Sequence, residues 1–124
     1  MAALLPTCDV LAGMEMGGIP IASVMSQLTG IPAVFVRKQP KQYGTRKAAE
    51  GGPISGRRVV AIEDVVTTGG ALINGCQMLR SAGGRVDTVV CAIDRDQGGA
   101  ENLATEGIGL LAALSRTDFM PSQT

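Results

Sequence analysis

Residues 59–71 read Val-Val-Ala-Ile-Glu-Asp-Val-Val-Thr-Thr-Gly-Gly-Ala, and no other stretch restricts the chain so tightly. An apolar, β-branched run ends in two adjacent carboxylates, Glu63 and Asp64. Within a few residues it reaches Thr67, Thr68, Gly69, Gly70 and the start of a helical pattern at Ala71. A strand that feeds a helix through so short a glycine turn is the building unit of a parallel α/β sheet. At such a turn the unpaired helix amides converge, the helix dipole favours negative charge, and glycine lets the backbone approach a ligand. The turn therefore predicts a phosphate cradle, with the two carboxylates placed to hold sugar hydroxyls or a metal-bound anion. It has neither the Lys-Ser/Thr ending of a Walker loop nor the spacing of a dinucleotide-binding turn. The competing reading is a buried strand that ends in an ordinary glycine-rich turn.

The rest of the chain repeats the unit. Residues 9–14 form an apolar strand that runs into Glu15, Met16, Gly17 and Gly18, a second glycine turn able to bind a phosphate or merely to pack tightly. Ile21, Val24, Met25 and Leu28 then recur at helical spacing, stopped by Gly30 and Pro32. Strands are expected at 33–36, 58–62, 86–93 and 108–114. Leu72, Cys76 and Leu79 mark the buried stripe of a helix ended by Gly83 and Gly84, and a short helix is expected at 98–106. The prediction is one domain over residues 1–124, a doubly wound, mainly parallel five-stranded sheet flanked by helices. Ligands of such sheets bind beyond the carboxyl ends of the strands. Glu15, Glu63, Asp64 and Arg95 are all expected at that edge.

Phe35, Tyr43 and Phe119 are the only aromatic residues, so the core must be aliphatic, as suits a covered parallel sheet. The formal charge is zero, which gives no general affinity for nucleic acid or a membrane surface. Charge is nevertheless uneven: seven of the eleven basic residues fall in 37–58, against the single acid Glu50. With Gly44, Gly51, Gly52, Pro53 and Gly56, this composition predicts a flexible loop over about 38–56. It is either a solvated loop or, beside a phosphate cradle, one that handles a polyanion. There is no histidine, which excludes Ser-His and Cys-His catalysis. Cys8, Cys76 and Cys91 have no zinc-ligand spacing and read as reduced thiols of a cytoplasmic protein. The N-terminal Met-Ala-Ala-Leu-Leu lacks the basic region of a signal peptide, and no apolar run approaches the ~18 residues of a membrane span.

The run 59–71 resembles the signature of the type I phosphoribosyltransferases, which bind 5-phosphoribosyl 1-diphosphate (PRPP). Residues 37–44, Arg-Lys-Gln-Pro-Lys-Gln-Tyr-Gly, are similar to the Arg-Lys-x-x-Lys-x-His/Tyr-Gly hallmark of the orotate phosphoribosyltransferases. The resemblance extends over about residues 9–119. It implies Mg²⁺-dependent transfer of phosphoribosyl from PRPP to orotate, giving orotidine 5′-monophosphate and diphosphate in pyrimidine nucleotide synthesis, with Mg²⁺ held mainly by the substrate.

The same resemblance distributes roles. Val65, Val66, Thr67, Thr68, Gly69, Gly70 and Ala71 would grip the 5′-phosphate, and Glu15, Met16, Gly17 and Gly18 the diphosphate. Glu63 and Asp64 would hold the ribose hydroxyls and favour the cationic sugar. Arg37 and Lys38 would clamp diphosphate oxygens, with Tyr43 nearby in a place often held by histidine. Lys41 would arrive on loop closure and neutralise the leaving group. Arg95 would recognise the orotate carboxylate, with Thr67 as a second contact, although Asp94-Arg95 alone reads equally as a surface ion pair. The loop would reach the partner's site in a homodimer. Two departures stand out: relatives carry a further N-terminal segment that closes over orotate, and many have lysine where Gly17 stands. Both weaken substrate binding in principle. The alternatives are a non-catalytic PRPP-binding regulator and a purine phosphoribosyltransferase.

Overall fold

The structure is a computed structural model that describes residues 1–37, 49–50 and 52–119. A 3-10 turn (Ala2–Leu4) leads into β1 (Val10–Met14) and α1 (Gly18–Thr29), followed by β2 (Ala33–Val36) and β3 (Ala49–Glu50). Then come β4 (Arg58–Val66), α2 (Gly70–Ser81), β5 (Arg85–Asp94), α3 (Gly99–Thr105), β6 (Gly109–Ser115) and α4 (Arg116–Phe119). The strand order is β3-β2-β1-β4-β5-β6. The five long strands pair in parallel, as expected, and two-residue β3 adds an antiparallel edge beside β2.

Strand alternation divides the core into two layers. Val10, Ala12 and Met14 of β1, Val59 and Ala61 of β4, and Val89 and Cys91 of β5 face Leu72, Cys76 and Leu79 of α2 and Leu103 of α3. On the opposite face Leu11, Val60, Ile62 and Val90 meet Ala22 and Met25 of α1. Aliphatic side chains fill both layers, as the scarcity of aromatics requires.

Two expectations are corrected. β4 does not stop at Ile62 but runs four residues further, because Val65 and Val66 resume the β-branched pattern and pair with Ile93 and Asp94. The turn proper thus begins at Thr67. In α1 only part of the apolar stripe meets the sheet: Ile21 and Met25 pack on the core together with Ala22, whereas Val24 and Leu28 are 55% and 73% exposed. A Cβ on Gly13 would lie 2.9 Å from the Ala22 Cβ and 2.8 Å from the Gly18 carbonyl. Glycine on the strand and alanine on the helix let the two backbones close together, and that contact sets the phase of α1.

The central strands are pinned at their amino ends. The Arg58 backbone amide, Nε and Nη2 all donate to the Asp9 carboxylate, at 2.9, 3.2 and 3.1 Å. This pairing holds the Asp9 carboxyl below its ordinary pKa.

Candidate active site

The carboxyl ends of β1, β2 and β4 enclose a cleft of about 290 Å³. The turn after β1 supplies Glu15, Met16 and Gly17; β2 ends in Arg37; β4 contributes Glu63, Asp64 and Val65; and α2 closes one side with Ala71, Leu72 and Gly75. Eight residues singled out from sequence therefore meet in one place: Glu15, Met16, Gly17, Arg37, Glu63, Asp64, Val65 and Ala71. The peptide bond between Glu15 and Met16 is cis.

Glu63 and Asp64 enter this cleft from different layers. Glu63 belongs to the alternating set that faces α2, and its charge is felt by both Cys76 and Cys91. Burial, aided by the neighbouring Asp64, raises its pKa to about 7, although its Oε1 accepts the Asp64 amide at 3.0 Å, which works the other way. Asp64 faces α1 and lies against Gly17, while its Oδ1 accepts the Val65 amide at 2.7 Å. Burial pushes the Cys76 and Cys91 thiols to about 12, so both are packing groups rather than nucleophiles.

The second half of the signature forms the N-terminus of α2, beside the cleft. Gly69 is left-handed (φ 86°), a conformation that glycine adopts without steric cost. The amides of Thr68, Gly69, Gly70 and Ala71 donate to no protein acceptor among the described residues. Thr67 and Thr68 are exposed, and the Thr68 carbonyl is held by the Asn102 side-chain amide at 2.8 Å. This leaves a set of amides with the geometry of an anion site. Val66 contributes differently: its side chain is 2% exposed in the core, so only its backbone faces the turn. Its carbonyl accepts the Arg95 amide at 3.0 Å. Arg95 has an exposed side chain at the end of β5 and does not line the cleft. Gly18 packs under the site, where a Cβ would overlap the Ile62 carbonyl. Lys38, Lys41 and Tyr43, and most of the expected loop 38–56, lie outside the described residues.

Sequence reasoning missed the floor of the cleft. Met14 and Val36 form it with Gly75, whose Cβ, if present, would lie 2.9 Å from the Met14 sulfur. The available signal was a glycine inside a helical stripe, between Leu72 and Leu79, where only close packing justifies its helix-weakening cost. Among the described residues no group of three or more His, Cys, Asp or Glu converges to hold a metal ion, and no helix is long and apolar enough to cross a membrane.

Comparison with known proteins agrees with this geometry. Residues 7–110 match the phosphoribosyl transferase domain family. The orotate phosphoribosyltransferase of a Nocardioides species is 51% identical over 120 residues, covering 96% of this chain and 67% of that protein. The orotate phosphoribosyltransferase of Aeropyrum pernix superposes with a TM-score of 0.81 at 33% identity, over 90% of this chain and 62% of that one. The Mycobacterium tuberculosis enzyme in complex with PRPP does so with a TM-score of 0.80 at 28% identity, over 92% and 66%. The chain thus spans about two thirds of the length of the relatives it matches. A parallel sheet with the carboxylate pair at its carboxyl edge, the adjoining turn of unpaired amides and these similarities agree: the chain belongs to the phosphoribosyltransferase family, among the orotate phosphoribosyltransferases.

Proposed function

We propose that the chain transfers phosphoribosyl from PRPP to orotate, releasing diphosphate and forming orotidine 5′-monophosphate. The observation that carries this reading is the meeting of Glu63 and Asp64 with the Glu15-to-Gly17 turn in one cleft, beside the unpaired amides of α2. Breaking the ribose C1–O bond builds positive charge on the sugar and negative charge on the departing diphosphate. The carboxylates are placed for the first, and the β1 turn with Arg37 for the second. The α2 amides would take the 5′-phosphate. Lys38, Lys41 and Tyr43 are assigned to the diphosphate from sequence, with Lys41 as the catalytic cation. Arg95 and Thr67 are assigned to orotate, a guanidinium suiting a planar carboxylate.

The donor set fits Mg²⁺ bound chiefly through substrate. Glu15, Glu63 and Asp64 line the cleft and, among the described residues, form no closed cage, which suits an ion that completes its shell with phosphate oxygens and water. When bound, Mg²⁺ would neutralise diphosphate charge, and the cleft carboxylates Glu15, Glu63 and Asp64 are the protein groups available to hold it.

A homodimer is the proposed working unit. α1 carries no charged residue, and Val24 and Leu28 stand exposed on its outer face, so a second copy could meet it without like-charge repulsion. A cytoplasmic location is proposed from the buried free thiols Cys76 and Cys91.

Calorimetric titration in Mg²⁺, first with PRPP and then with orotate, followed by a turnover assay, tests the proposal. Binding of both with formation of orotidine 5′-monophosphate is expected. Binding of PRPP alone would make the chain a non-catalytic sensor, and capture of a purine base instead of orotate would move it to the purine enzymes.

A further inference from the structure

Position 17 carries glycine where the backbone does not require one. Gly17 has φ −68° and ψ −25°, right-handed values open to any L-residue. Space keeps it bare. A Cβ there would overlap the Asp64 carboxylate, whose two oxygens and Cγ are the three nearest atoms. The neighbouring glycines differ in kind: a Cβ on Gly13 or Gly18 would strike a backbone carbonyl, of Gly18 or of Ile62. Those two positions serve packing, Gly13 of β1 against α1 and Gly18 of the turn on β4. At Gly17 the obstacle is the free end of a short side chain, which can swing to another rotamer. A side chain at 17 is therefore cheap for the fold and costly for whatever the Asp64 carboxylate does. That carboxylate, seated over the turn, also accepts the Val65 amide at 2.7 Å, and Gly17 and Asp64 line the same cleft.

We infer that Gly17 is a positioning residue for Asp64: the bare turn after β1 seats this carboxylate over the diphosphate turn and against the Val65 amide before substrate arrives. The inference rests on the proposed function for what Asp64 does, and on geometry alone for where it sits. The absent side chain is the room that Asp64 occupies.

Four proteins test it: the parent chain, Gly17→Ala, Asp64→Ala and the double variant. Amide NMR without ligand reads the seat directly. Gly17→Ala should move the Val65 amide resonance towards its position in Asp64→Ala, and an unmoved resonance overturns the inference. In turnover, Gly17→Ala should lower kcat/KM roughly ten- to hundred-fold, the size expected when a catalytic group is displaced by about an ångström. Added to Asp64→Ala it should cost less than about two-fold, since there is no carboxylate left to displace. Equal losses in both backgrounds would show that Gly17 acts through the turn itself and overturn the inference. A parent chain without PRPP turnover would refute the proposed function, while the Val65 resonance would still decide the positioning. Should Gly17→Ala fail to fold, a folded double variant supports the inference, and an unfolded one overturns it.

Discussion

Glu63 and Asp64 are adjacent in sequence yet belong to opposite layers, Glu63 facing α2 beside Cys76 and Cys91, Asp64 facing α1 over Gly17. The two-residue alternation of β4 is the cause. One carboxyl is thereby partly desolvated and the other seated in a polar turn, so a pair with the same chemistry is split into two environments. Separated environments let neighbouring acids take separate roles.

The first prediction concerns pH. The folded pKa of Glu63 is about 7, raised from 4.5 chiefly by burial, so the native state holds a proton that the unfolded chain has released. That contribution to stability is complete below about pH 4.5 and is lost as pH rises through 7. Because Glu63 is only partly buried, the loss should be about 1–2 kcal/mol rather than the full value of the shift. Urea unfolding at pH 5 and pH 8 should show it, and Glu63→Gln should abolish this part of the slope. If Glu63 takes the proposed role of favouring the cationic sugar, turnover should rise over the same interval as it ionises, and the variant should lose that rise.

Asp64→Asn should cost at least about a hundred-fold in kcat/KM, the scale of removing one well-placed electrostatic stabiliser. Asp96→Asn should stay within about two-fold, because the exposed Asp96 has φ 56°, a left-handed conformation that asparagine also tolerates. Comparable losses from steady-state kinetics would show that the carboxylate pair is misassigned.

Lys41→Ala should lower turnover sharply and leave PRPP affinity within about three-fold, as expected of a group that acts only when the leaving group develops charge. Single-turnover rates together with calorimetry separate the two effects. A normal rate would remove Lys41 from the chemistry.

Gly75→Val should destabilise the chain by about 1–3 kcal/mol by forcing branched atoms against the Met14 sulfur at the floor of the cleft. Denaturant midpoints measure this. A loss below about 0.5 kcal/mol would mean that the floor yields freely.

Placing Asp at both Val24 and Leu28 should leave the unfolding midpoint of the isolated chain nearly unchanged, since both side chains are exposed. It should convert a two-copy species to one copy in light scattering. An unaltered mass would take α1 out of the dimer seam.

The alternation of apolar runs with glycine turns was sufficient to read five parallel strands and the edge at which a ligand must sit. Three features escaped that reading, each for a physical reason. α1 is apolar on nearly every side, so the spacing of Ile21, Val24, Met25 and Leu28 shows a helix without showing which side meets the sheet; the small pair Gly13 and Ala22 decides it. The end of β4 was set too early because an acidic pair resembles a strand end, whereas partner residues on β5 extend the ladder past it. β3 has only Ala49 and Glu50, too short to leave a periodic trace. In the site, Gly17 was legible as part of a glycine turn, but its meaning depends on Asp64, a contact between residues far apart in the chain.

The Asp9–Arg58 clasp joins residues 49 positions apart, at the start of the two central strands. Contacts this distant in sequence require a long loop to close before pairing can reward it, which makes parallel sheets slow to assemble. During synthesis β1, α1 and β2 leave the ribosome before β4, and their apolar surfaces must wait for it. The strand that brings Glu63 and Asp64 to the cleft is thus also the one that covers the open edge of β1 during synthesis, and so removes one site of aggregation.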